Sequence, residues 1–274
     1  MNAPAFPPNP TVGEQFQQFV WNGASWVCAP ATGVQVLTKV FTASGPYMPS
    51  PGLVSVVIEC IGGGGGGGGC ATLDATLIIT GGAGGSGGYS RKTLPASLVA
   101  GGVSVTVGAG GLGGGDGQNG VATTFGALCV ANGGGLGQGN NDVTGFGAAG
   151  AEAPPGVGDV ALPGNGGMNG VVWIGTARTV SVQSPMGGSM WGGTRTVNVP
   201  PQGAANGAEG YANTGAGGGG GVCNTIVPSG NIIGGNGGSG ICIVTEYCWA
   251  DVVPGEDCFP TGAARVAIGW QNDC

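Results

Sequence analysis

Histidine is absent from this sequence, and charge is scarce: Lys39, Arg91, Lys92, Arg178, Arg195 and Arg265 are the only cations, against 13 acids in 274 residues. Without histidine, Ser-His-Asp and Cys-His catalytic sets cannot be assembled, and the commonest general base and metal ligand are both missing. A net charge of −7 with no basic stripe leaves nothing to hold a phosphate backbone, so no nucleic-acid partner is expected. Nine cysteines include no Cys-x-x-Cys pair, which argues against zinc, and no Gly-Lys-Ser/Thr follows any glycine run, which argues against a P-loop. The expected cofactor content is therefore none, and the acids are scattered in the manner of solvated turn residues rather than a catalytic pair. No apolar run approaches the ~18 residues that cross a bilayer, so membrane insertion is not expected. Met1 to Pro8 lacks the charged and apolar regions of a signal peptide. No stretch shows helical period with caps, so almost no α-helix is expected.

What the chain has instead is glycine. There are 67 glycines and 18 prolines, a content usually read as low complexity, but 41% of the residues are apolar and mean hydropathy is positive. Disordered chains are poor in apolar residues and rich in charge. The organising stretch is Cys60-Ile61, eight consecutive glycines (Gly62 to Gly69), then Cys70. Further glycine tracts recur at 81–88, 108–120, 133–139, 164–170, 187–193, 215–221 and 234–240. Alternating with short apolar strands, these tracts are expected to order against one another as polyproline-II helices of three residues per turn. Glycine helices can approach until the N–H of one meets the C=O of the next, satisfying backbone groups that burial would otherwise leave unpaired. The octaglycine would then span about 25 Å. The competing expectation is a set of flexible loops between strands.

Three regions follow from composition. Residues 1–33 form an N-terminal segment in which Phe16 to Trp21, Asn22-Gly23 and Ala24 to Val27 read as a hairpin, with Phe19 and Trp21 on one face. Residues 34–248 form the glycine-rich β domain, with strands expected at 34–41, 53–61, 89–94, 103–107, 123–125, 128–130, 171–174, 194–199 and 241–247. Gly45-Pro46 reads as a turn. Residues 249–274 are acidic, turn-rich and bounded by Cys248, Cys258 and Cys274, with one last strand expected at 264–270. The fold class is all-β: a short-stranded, β-sandwich-like domain with ordered polyproline-II-type polyglycine segments.

The order of these pieces resembles the glycine-rich domain of bacteriophage tail-fibre and virion-surface proteins. The resemblance rests on Val56 to Ile61 with Gly62 to Gly69, Gly87-Gly88-Tyr89, Val103 to Gly111, Ala122 to Gly126, and Gly238 to Tyr247. Asn9 to Gly13 and Trp21 to Val27 also resemble short N-terminal segments of phage fibre proteins. The resemblance implies a place on the virion surface, other virion proteins as partners, and often attachment to a host-surface glycan or protein; nine cysteines without a signal peptide fit a virion part assembled in the host cytoplasm and exposed after lysis. It implies no catalytic residues. A purely structural fibre, collar or decoration role is the alternative.

Candidate site residues are few. Trp191 and Tyr211 lie among Asn, Ser and Gly, where an exposed ring can stack on a sugar, and Arg178, Arg195 and Asn206 can supply hydrogen bonds. Core packing is the other reading for these aromatics, and it is favoured for Trp173, which sits in a strand-like run. Phe19, Trp21 and Trp26 need a surface to be buried against, because an isolated hairpin is marginal; virion attachment is the expectation, with the whole working as a homo-oligomer, a trimer by analogy with fibres. Disulfides are the expected chemistry. Cys248–Cys258 is the first choice, and Cys60 and Cys242 are expected neighbours on the two best strands, with small buried hydrophobes as the alternative. An odd count leaves a thiol free or paired between chains.

Overall fold

The computed structural model describes residues 33–249, apart from 75, 142–145, 175–181, 190 and 194–195, together with residues 9, 11, 15–16, 19–21 and 26–28. In the N-terminal part β1 (Gln15–Phe16), β2 (Phe19–Trp21) and β3 (Trp26–Cys28) form a three-stranded antiparallel sheet in which Trp21 pairs with Trp26. The main domain continues with β4 (Val34–Phe41), β5 (Gly45–Tyr47), β6 (Leu53–Ile61), β7 (Cys70–Thr72), β8 (Leu77–Thr80), β9 (Tyr89–Pro95), β10 (Val103–Thr106), β11 (Thr123–Phe125) and β12 (Cys129–Ala131). Then come β13 (Val160–Leu162), β14 (Val172–Ile174), β15 (Val182–Gln183), β16 (Asn198–Val199), β17 (Ala204–Ala205), β18 (Val222–Cys223), β19 (Val227–Ile232) and β20 (Ile241–Trp249). Among the described residues the only helical turn is a 3-10 segment at Ala96–Leu98. The chain is all-β.

Two sheets pack face to face. One has the order β13-β9-β6-β20-β4, the other β12-β11-β10-β5. Alternation in β20 is complete: Cys242, Val244, Glu246 and Cys248 point inward, and the residues between them are half-buried. With Val56, Ile58, Cys60 and Leu94 they meet Tyr47, Val105, Phe125 and Cys129 from the second sheet. The Tyr47 and Phe125 rings tilt against each other at 5.1 Å. Gly45-Pro46 is a strand rather than the expected turn. Pro46 lies opposite Ser104 on β5, an edge strand, where a missing N–H does not interrupt a ladder.

The inward carboxylate of Glu246 is fully buried and accepts four hydrogen bonds: from Tyr47 Oη (2.6 Å), Ser50 Oγ (2.6 Å), Ser50 N (3.1 Å) and Lys39 Nζ (3.0 Å). Burial pushes its pKa up, but the donors from Ser50, Tyr47 and Lys39 outweigh burial and hold the carboxyl below its ordinary value. The same arrangement, burial first and then the bond to Glu246, raises the Tyr47 phenol.

Between the sandwich and a second small core runs the octaglycine, leaving β6 at Ile61 and entering β7 at Cys70. Its N–H groups bond outward in three rows. Gly62, Gly65 and Gly68 donate to Gly88, Gly85 and Gly82; Gly63, Gly66 and Gly69 to Val121, Gln118 and Gly115; Gly64 and Gly67 to Gly238 and Gly235, all at 2.7–3.0 Å. Partner numbers fall by three as donors rise by three, so these neighbours are antiparallel. Its carbonyls accept from three more rows: Gly111 and Gly114, Gly134, Gly137 and Asn140, and Gly218 and Gly221, all parallel. Six extended segments thus surround one glycine helix, and the three-residue repeat is that of polyproline II. All of Gly62 to Gly69 are buried. A Cβ at Gly65 would overlap the carbonyl of Gly135, and the other seven positions meet backbone equally closely. The ordered lattice, not the flexible loops, is what forms.

A disulfide outside the expected pairs is present. Among the described residues the disulfide is Cys70–Cys223, across 153 residues and with Cα atoms 6.1 Å apart, and it joins β7 to β18 beside Leu77, Ile79 and Val227. Cys60 and Cys242 are neighbours as expected, in register on β6 and β20, but they are two thiols with Sγ atoms 3.6 Å apart. Together with Cys129 they are wholly buried in the sandwich core. Hydrogen bonding to Cys129 and Cys242, and then burial, pushes the Cys60 thiol well up; all three side chains, wholly buried, fill the core as small residues. Cys248 is buried on β20, and Cys258 lies outside the described residues.

Candidate functional site

The second layer of the lattice builds a cleft. Gly82, Gly85 and Gly88 donate to Gln138, Gly135 and Asn132, while Ala83 and Ser86 donate to Met168 and Asn165. The segment at 164–168 is thereby pinned along 82–88, and the Ser86 hydroxyl accepts the Asn165 N–H at 2.7 Å. Tyr89 follows at the start of β9, opposite Ile61 of β6. The chain then returns through Ser189 and Trp191. The Ser189 hydroxyl donates to the Thr214 carbonyl (2.5 Å) and accepts the Trp191 N–H (3.1 Å), which ties this loop to the lattice.

The result is a cleft of about 210 Å³ whose lining includes Ile61, Ser86, Tyr89, Asn165, Ser189 and Trp191. Trp191 is 46% exposed, and its ring stacks at 28° to that of Tyr89 with centroids 6.4 Å apart. Tyr89 is held from its far end, its hydroxyl donating to Glu59 Oε1 at 2.5 Å. Burial, and then that bond to Glu59, raises the Tyr89 phenol, so it stays a neutral donor. No charged side chain lines the cleft among the described residues. Nor do three Cys, Asp or Glu side chains converge among those residues in a way that could hold a metal ion.

The expected site residues do not all come together here. Trp191 lines the cleft. Tyr211, 46% exposed, does not; it lies beside Gly238 on another part of the lattice, its carbonyl accepting the Thr214 hydroxyl at 2.7 Å. Asn206 is exposed, and its Oδ1 accepts the Ile233 N–H at 3.1 Å, so it satisfies a lattice backbone group. Arg178 and Arg195 lie outside the described residues. Phe19, Trp21 and Trp26 fall on β2 and β3. Trp173, read as core, is 62% exposed: β14 is an edge strand, and it is Val172 that turns into the second core. Sequence reasoning missed Tyr89 and Asn165. The Gly-Gly-Tyr junction at 87–89 marks where lattice gives way to strand, and a large ring at that step is the signal that was available.

A family model for the glycine-rich domain matches residues 42–247. This chain belongs to that family. The match takes in the whole lattice, the cleft and the sandwich apart from β4 and the last two residues of β20. Comparison with curated proteins finds no match.

Proposed function

We propose that this glycine-rich domain protein is a non-enzymatic component of a phage virion surface that attaches to the host through loops carried on its lattice. The observation that carries the reading is the placement of Trp191: a half-exposed indole, stacked on an anchored Tyr89, on a loop whose backbone is hydrogen-bonded to a rigid main-chain scaffold. Such a platform presents a contact surface with little ordering left to be done on binding. Tyr211 offers a second exposed ring on the same scaffold. Residues 1–33, with Phe19, Trp21 and Trp26, supply the docking to other virion proteins, and multiplication of weak sites in a trimer supplies avidity. The disulfide Cys70–Cys223 suits exposure outside the cell after lysis.

The test is a pull-down of the purified, fluorescently labelled chain on a panel of intact bacterial strains. Strain-dependent, saturable binding that falls with Trp191→Ala or Tyr211→Ala supports attachment. Absence of binding across the panel, with normal incorporation of the protein into particles, would favour the purely structural fibre or decoration role.

A further inference from the structure

The chemistry of the cleft deepens the attachment reading, on which this inference rests, by pointing to a class of ligand. The cleft volume, about 210 Å³, is below the ~300–1,000 Å³ usual for drug-sized ligands, which limits the occupant to one small ring. Its walls divide into two kinds. Ile61, Tyr89 and Trp191 are apolar or aromatic. Ser86, Asn165 and Ser189 are neutral and polar. Both serine hydroxyls are engaged in holding backbone, Ser86 accepting from Asn165 N and Ser189 bridging Thr214 and Trp191. The side-chain amide of exposed Asn165 makes no hydrogen bond among the described residues, and an amide offers both donors and an acceptor. An aromatic face beside an uncommitted amide, with no charged lining residue, matches a ligand that has one apolar face and a rim of hydroxyls.

We propose that the Trp191–Tyr89 cleft binds a single uncharged pyranose unit of a surface glycan, its C–H face on the Trp191 ring and its hydroxyls hydrogen-bonded by the Asn165 amide. Tyr89 acts as a positioning residue. Its bond to Glu59 fixes the ring against which Trp191 rests. An anionic sugar is disfavoured because no described cation lines the cleft and the chain carries a net charge of −7. A peptide would set side chains of no fixed hydrogen-bonding pattern against the Asn165 amide.

Saturation-transfer difference NMR on the full chain tests this with glucose, galactose, mannose and N-acetylglucosamine as neutral probes and glucuronate and glucose 6-phosphate as anionic ones. Millimolar, saturable binding of at least one neutral sugar is expected, weakened about tenfold by Trp191→Ala and by Asn165→Ala, and largely kept by Trp191→Phe. Both truncated residues are exposed, so the variants are expected to fold, which circular dichroism checks. Tyr89→Phe should weaken binding less than either and raise the mobility of the Trp191 ring signals, a change that simple loss of a contact would not produce. No saturation transfer from any neutral sugar, binding of the anionic sugars alone, or binding unchanged by Trp191→Ala would each overturn the proposal. The two readings fail separately. Cell binding that survives Trp191→Ala while no sugar binds removes the saccharide and leaves attachment, through another surface; sugar binding without cell binding removes attachment and leaves the saccharide site.

Discussion

The sandwich around Tyr47 and Phe125 and the lattice around Gly62 to Gly69 are both closed to water, but they are closed by different atoms. In the sandwich, side chains interdigitate between two sheets, and each buried group can be replaced by one of similar volume at modest cost. In the lattice the filling is the main chain itself. Each N–H and C=O is both the packing surface and the hydrogen-bonding group, so shape and polarity are satisfied by one arrangement or by neither. A side-chain core has slack in rotamers. A main-chain core has none.

The largest effect should therefore come from the smallest added volume. Gly65→Val, and even Gly65→Ala, places a Cβ on the Gly135 carbonyl, and the loss should exceed about 4 kcal/mol or abolish folding. The same-sized change in the sandwich, Ile58→Val, should cost about 1 kcal/mol. Urea denaturation of both variants measures the contrast, and equal, small losses would mean that the lattice does not pack as described.

Next in size is the disulfide, which joins the ends of two parallel glycine tracts, 62–69 and 218–221, within the second core. Replacing both Cys70 and Cys223 by Ala should cost about 3–5 kcal/mol, given the long loop closed. The sandwich thiols Cys60, Cys129 and Cys242 should stay unreactive towards alkylating reagent until the protein unfolds. Fast labelling of these three in the folded protein would show that the sandwich opens more readily than its burial implies.

The smallest effect belongs to the sandwich's one buried ion. Because Glu246 is held below its ordinary pKa of 4.5, the folded state favours the ionised form and unfolding takes up a proton in acid. Its contribution is present above pH 4.5 and is lost as pH falls through the lowered value. Glu246→Gln should cost about 1–3 kcal/mol at pH 7, since an amide turns donors towards Tyr47 and Ser50, and should flatten the acid limb of a melting-temperature profile. An unchanged acid limb in the variant would assign acid sensitivity to other carboxylates.

How much of this the sequence discloses depends on whether side chains carry the information. Strands 53–61, 103–106 and 241–249 are legible because alternation or unbroken apolar runs declare them. That the glycines are ordered is legible too, since strongly apolar strands flank them. Which tract lies beside which is not: Gly85 and Gly135 have no side chains with which to specify each other. The Cys70–Cys223 bond is hidden as well, since β7 comes next to β18 through the lattice and through the pairing of β8 with β18, neither of which the residues announce. Asn206 and Asn165 look alike in sequence, yet one closes a backbone N–H and the other is left free, a distinction set by where neighbouring glycine segments end. Trp173 misleads because a strand-like run does not say whether the strand lies at an edge.

The three-row bonding of the central glycine helix also sets a rule of arithmetic on the gene. One residue added to or removed from 62–69 turns everything beyond it by about 120°, so every later N–H faces the wrong neighbour. Three residues restore the phase and change only the distance between β6 and β7, by about 9 Å. Length changes within this helix should accordingly survive in triplets of codons, whereas exposed connections that carry no lattice hydrogen bonds are free to vary one residue at a time.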